Sequence, residues 1–215
     1  RGIMFDGASG SITLNAVLNI NQGASGCQEG NAIEVRNAPF DGTHPATKVV
    51  EIAHNQVFNY QKTGIVANGD VTADIQHNQI GSSATQAKLA ADSIQLGFGA
   101  TGTVMHNNVD GNQWLGTSNY VATAVLIYLA DNVTVSKNNV GGNSDVGVYG
   151  YGNNGTYDNN RVFDEGADGP HGDWGMGNWG EGNVFTNNKV RGFDVPYDGV
   201  SGGKNKVIPG PQNFD

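Results

Sequence analysis

The chain has 215 residues, of which 37% are hydrophobic, only 14% are charged, 33 are glycine and 27 are asparagine, and its net charge is −9. So few helix-forming residues among so many that accept tight turns exclude an all-α protein, and Val, Ile and aromatic residues recurring throughout exclude disorder. Eleven Lys and Arg against twenty Asp and Glu, with no basic run, exclude a nucleic-acid partner, and no apolar stretch approaches the roughly 18–20 residues that cross a bilayer.

In chain order, one pair of marks comes round seven times. Each begins with a short alternating segment: residues 2–5, 32–35, 64–67, 93–96, 124–127, 147–150 and, more weakly, 173–176. Period-two alternation of that length predicts a half-buried strand. An apolar-x-x-Asn-x-apolar element follows. It reads Ile12…Asn15…Val17, Ile52…Asn55…Val57, Ile75…Asn78…Ile80 and Val104…Asn107…Val109. It continues as Val135…Asn138…Val140, Tyr157…Asn160…Val162 and Phe185…Asn188…Val190. The closing anchors are spaced 40, 23, 29, 31, 22 and 28 residues apart, so a minimal unit carries loops of variable length. Residues 41–47 are such an insertion.

One unit cannot bury its own apolar face, so the units must stack. The expected fold is an all-β solenoid of about seven coils, each with three short strands, rising roughly 4.8 Å per coil. Inward Ile, Val and Phe should form columns. The repeated Asn should take the left-handed conformation at each bend and stack its amides along the axis. Residues 1–191 are expected to form the solenoid, and residues 192–215, with Pro209 and Pro211, an irregular C-terminal cover on the last coil. The first coil shows no matching cover. Its open strand edges predict an upstream segment or a second copy against it, and homo-oligomers by end-to-end or side-by-side packing of coils.

This repeat, of the form V-x-x-N-x-[VI] from residue 2 to about 190, resembles the right-handed parallel β-helix family, the pectate-lyase-like group. The resemblance implies a right-handed, single-stranded parallel β-helix. It leaves the activity open, because the group includes polysaccharide lyases, glycoside hydrolases, epimerases, tailspikes and adhesins. The leading expectation is an extracellular or periplasmic protein that binds a polysaccharide and cleaves or modifies it. The alternative is a non-catalytic structural, adhesive or tailspike-like module.

Two regions carry candidate chemistry. Alternation places Leu126, Tyr128, Tyr149, Tyr151, Trp174 and Met176 outward on the first strand of successive coils. Tyr128, Tyr149, Tyr151 and Trp174 are the candidate substrate contacts, because flat rings stack on sugars. Arg36, on the same face, is the candidate partner for a substrate carboxylate, although Glu34 beside it favours ion pairing. The loop after Val162 holds Asp164, Glu165, Asp168, His171 and Asp173. Asp164, Glu165, Asp168 and His171 are the candidate catalytic groups, either as a carboxylate pair for glycoside hydrolysis or as a base for abstracting a proton beside a uronate. Asp168 and Asp173 could instead hold Ca²⁺, the one cofactor this loop suggests. A solvated acidic loop is the third reading. Residues 169–173 resemble only imperfectly the D-P-H-[DE] element of alginate-type epimerases, so no roles carry over from it.

His54, His77 and His106 occupy equivalent places just before the repeated Asn, and Lys137 continues their row. A transition metal could bind such a row, but a repeat also generates ladders of like residues for structural reasons alone. Cys27 is expected to be a packed thiol.

Overall fold

The computed structural model describes residues 1–23, 26–39, 46–84, 88–167 and 169–210. Every strand pairing is parallel, and each pass of the chain but the last lays one strand on each of three sheets; the last has none on the second among the described residues. The first sheet runs Ile3–Asp6, Ile33–Asn37, Thr63–Gly69, Asp92–Gly97, Thr123–Tyr128, Val146–Tyr151, Trp174–Asn178 and Val195–Asp198. The second runs from Gly10–Thr13 to Val184–Thr186 and the third from Ala16–Leu18 to Lys206–Val207. The path is therefore a parallel β-helix.

The core is a set of in-register columns. Ile33, Ile65, Ile94, Val125, Val148 and Met176 form one on the first sheet, all fully buried. Ile52, Ile75, Val104, Val135, Tyr157 and Phe185 form one on the second. Tyr157 and Phe185 stack with centroids 4.2 Å apart. Val57, Ile80, Val109, Val140, Val162 and Val190 form the third. Each such side chain contributes on the order of 1.5–3 kcal/mol of burial, and none has enough partners inside a single coil.

The repeated asparagines form a continuous internal ladder from Asn15 to Asn205. The Oδ1 of each accepts the backbone N–H and the Nδ2–H of the preceding one: Asn78 donates to Asn107 at 2.9 and 3.0 Å, and Asn107 to Asn138 at 3.0 and 3.0 Å. Nδ2 of Asn107 also donates to the Ile75 carbonyl at 2.9 Å. Each ladder amide between the two ends is thereby bonded to the rungs above and below. The left-handed residue is the one before each Asn, not the Asn itself. Leu14, His54, His77, His106, Lys137, Asn159, Asn187 and Lys204 all sit at φ of 54–60°. The reversal turns the following amide inward, where burial rather than turn propensity demands Asn. Lys204-Asn205 repeats this geometry one coil beyond the seven visible motifs.

Two strands lie beyond residue 191, where an irregular cover is expected. Val195–Asp198 pairs with Trp174–Asn178, and Lys206–Val207 pairs with Lys189–Arg191. Met176, expected outward, points into the core because its strand registers Met176 on Val148 and Gly177 on Tyr149. Cys27 is exposed, not packed.

Candidate functional site

The exterior of the first sheet changes character along the axis. In its early coils it carries ion pairs: Arg36 with Asp6 at 2.9 Å and with Glu34 at 3.7 Å, and Arg1 with Glu34 at 2.6 Å. These contacts hold the Arg36 guanidinium above its ordinary pKa, chiefly through the Asp6 hydrogen bond. Arg36 shares a register row with Tyr128, three rungs away through Asn68 and Gly97, and makes no contact with the tyrosines.

In the later coils the face is aromatic. Tyr128 stacks on Tyr151 at 5.4 Å, Tyr151 meets Tyr149 edge-on at 6.4 Å, and Tyr149 packs on Trp179 at 4.3 Å. Phe98 extends the row at 5.6 Å from Tyr128. Trp179 was not among the expected contacts. It reaches this face because the slot in register with Tyr149 is Gly177, and a Cβ there would come within 2.1 Å of the Trp179 ring. Its Nε1–H donates to Asp198 at 3.0 Å, which fixes the ring plane. Trp174 lies half-buried at the rim, edge-on to Trp179 at 6.4 Å. Burial first, then Tyr128 and Tyr151, raises the pKa of the Tyr149 hydroxyl, which stays a donor.

Two clefts open on this row. One, of about 460 Å³, is lined by Tyr128, Tyr149, Leu126, Trp114, Tyr120 and the Lys62–Asp92 ion pair. Asp92 is 3% exposed and accepts Lys62 at 2.9 Å and the Thr123 hydroxyl at 2.9 Å, so its charge is fully committed. The other, of about 530 Å³, is lined by Tyr151, Trp179, Asn153, Asp131 and Glu181. The Tyr128–Tyr151 stack joins the two.

The wall of the first cleft is the loop of residues 111–122, held by two buried polar anchors. Asn112 donates to Thr123 O and Ser93 Oγ and accepts the Ser83 N–H. Ser93 in turn bonds the buried Tyr60 hydroxyl at 2.8 Å. Asp145 accepts the N–H of Trp114 and of Ala122, each at 2.8 Å, on Oδ2, while its buried Oδ1 has no hydrogen-bond partner among the described residues. Burial pushes the Asp145 carboxyl up to about 6, against those two amides and His171, which lower it.

The acidic loop braces that wall from behind. Gln113 donates to Ala167 O at 2.8 Å, and the His171 ring nitrogen bonds Gly116 O at 2.6 Å beside Trp114. Asp164 is buried and accepts Gly166 N–H, Glu165 pairs with Arg191 at 3.0 Å, and Asp173 accepts the Asp194 N–H. Asp164, Glu165 and His171 line neither cleft. Asp168 lies outside the described residues, which leaves Asp173 as the one described member of the expected Ca²⁺ pair. Among the described residues no three His, Cys, Asp or Glu side chains converge to hold a metal. The expected histidine row is present as a stack, His54 on His77 at 5.1 Å and His77 on His106 at 5.0 Å, with rings within 6° of parallel.

The sequence pattern of the family described as right handed beta helix region matches residues 40–207, and the chain belongs to that family. No curated protein and no solved structure matches the chain.

Proposed function

We propose that this right-handed β-helix protein binds a polysaccharide along the exterior of its first sheet, in an extracellular or periplasmic setting. The observation that carries the reading is the unbroken aromatic row Phe98–Tyr128–Tyr151–Tyr149–Trp179, in which Tyr128 and Tyr149 line one cleft and Tyr151 and Trp179 another. Rings held in place by one another lose little entropy on binding, and each offers an apolar surface to a sugar ring. Asn153, Asp131 and Glu181 flank one end with hydrogen-bonding groups for hydroxyls. Binding is better supported than cleavage. The cleft carboxylate Asp92 is ion-paired with Lys62, and Asp164, Glu165 and His171 line neither cleft.

Affinity electrophoresis through gels containing a panel of neutral and acidic polysaccharides tests this. At least one glycan should retard the chain, and Tyr151→Ala or Trp179→Ala should restore mobility by weakening binding about five- to tenfold. Retardation that is unchanged in both variants overturns the reading. A chain that no glycan retards, yet sediments as concentration-dependent rods, supports the structural-module alternative.

A further inference from the structure

A second surface lies on the corner between the second and third sheets, away from the aromatic row. Five of the eleven lysines and arginines gather there: Lys137, Arg161, Lys189, Lys204 and Lys206. The sequence hides this strip because the five are 15 or more residues apart except for the last pair. The fold aligns them. Lys189 pairs in register with both Arg161 and Lys206, so three successive rungs of the third sheet each present one cation at the same position. Lys137 sits at the corner one rung earlier, at the end of the stacked histidine row. At about 4.8 Å per rung, the charges from Lys137 to Lys206 span roughly 14 Å.

These cations have no structural task that the described residues reveal. Among the described residues none of the five is in a salt bridge, whereas Arg1, Arg36, Lys62 and Arg191 all are. The carboxylate facing Lys137 is Asp158, already engaged by Thr186, Asn187 and Asn159. The strip opens on a cleft of about 480 Å³ lined by His77, His106, Lys137, Arg161 and the amides Asn108 and Asn139. On a chain of net charge −9, such a concentration of cations, none of them in a salt bridge among the described residues, calls for an anionic partner.

We propose that this corner binds an acidic polysaccharide, with carboxylate or sulfate groups following the axis at one cation per rung. The cleft at the start of the strip sets Lys137 and Arg161 among amides, which matches a chain bearing both anionic groups and hydroxyls. A lipid surface would need a flat or convex face with apolar side chains among the cations, and the lining here has none. The proposal does not rest on the aromatic row, and the two surfaces can fail independently.

Isothermal titration of the full chain with polygalacturonate oligomers, at 20–200 mM NaCl, tests it. Binding should weaken with salt. Lys137→Gln/Arg161→Gln/Lys189→Gln should lower affinity at least about tenfold and reduce the steepness of the salt dependence by about one unit per cation removed. Trp179→Ala and Lys48→Gln should leave it unchanged. All three replaced side chains lie on the outer surface, and an unchanged melting temperature separates lost binding from lost folding. No binding, equal binding by the triple variant, or binding to phosphatidylglycerol vesicles in preference to the oligomer overturns the proposal.

Discussion

The asparagine ladder inside the coil and the aromatic row outside it are both columns generated by the same stacking, and they differ in one respect. The ladder repeats one residue from Asn15 to Asn205, with each amide bonded to the next. The row changes at almost every rung, from Asp6 and Arg36 through Asn68 and Gly97 to Tyr128 and Tyr151. A column whose members bond one another and the backbone of neighbouring coils holds the fold. A column that varies, and faces open clefts, is free to serve a ligand. Variation along a solenoid wall is therefore the better pointer to function, and uniformity the better pointer to stability.

The sharpest way to break this contrast is to cut the ladder. Asn107→Ala removes the acceptor for both Asn78 donors and the donor to Ile75 O and Asn138 Oδ1, all buried. Denaturant unfolding should show a loss of about 3–5 kcal/mol, because several buried polar groups lose partners at once. A loss under about 1 kcal/mol would make the ladder a by-product of stacking.

Asp145 joins the two regions, since it holds the cleft wall from the solenoid edge. Its carboxyl pKa is raised to about 6 in the folded chain, mainly by burial, from an ordinary value near 4 when unfolded. Between those values the folded state binds the extra proton, so this group's contribution to stability is greatest below pH 4 and falls as pH rises through 6. Asp145→Asn should flatten that fall, by up to about 3 kcal/mol between pH 4 and 7. Equal pH profiles for the two proteins would remove the carboxyl from the account.

A gentler change acts on the row alone. Gly177→Val places methyl groups where the Trp179 ring lies, so the ring must leave. Glycan affinity should drop about fivefold. The melting temperature should move by only a few degrees, as the ring is on the surface.

Much of the interior was legible in the sequence. The Asn-x-apolar spacing located the columns, and Asn205-Lys206-Val207 shows the same ending one coil later, without its leading apolar residue. The inference failed where local chemistry departs from the repeat. Strand parity placed Met176 outward, because no sequence sign marks the register that pairs Gly177 with Tyr149. Trp179 and the wall of residues 111–122 sit in insertions outside the repeat. The acidic loop was conspicuous by composition, yet its described members are engaged with backbone groups and Arg191. Asp145 was overlooked because nothing in the segment Asn143-Ser144-Asp145 announces that its carboxylate will be buried. The cation strip needed the coil length to become visible.

Tryptophan fluorescence tests the central claim most directly. In a Trp114→Phe/Trp174→Phe background, Trp179 alone reports on the aromatic row. Titration with oligosaccharides of a glycan that retards the chain should give a saturable shift in its emission, at the concentrations where binding occurs. A glycan that binds with the Trp179 signal unmoved would contradict the account.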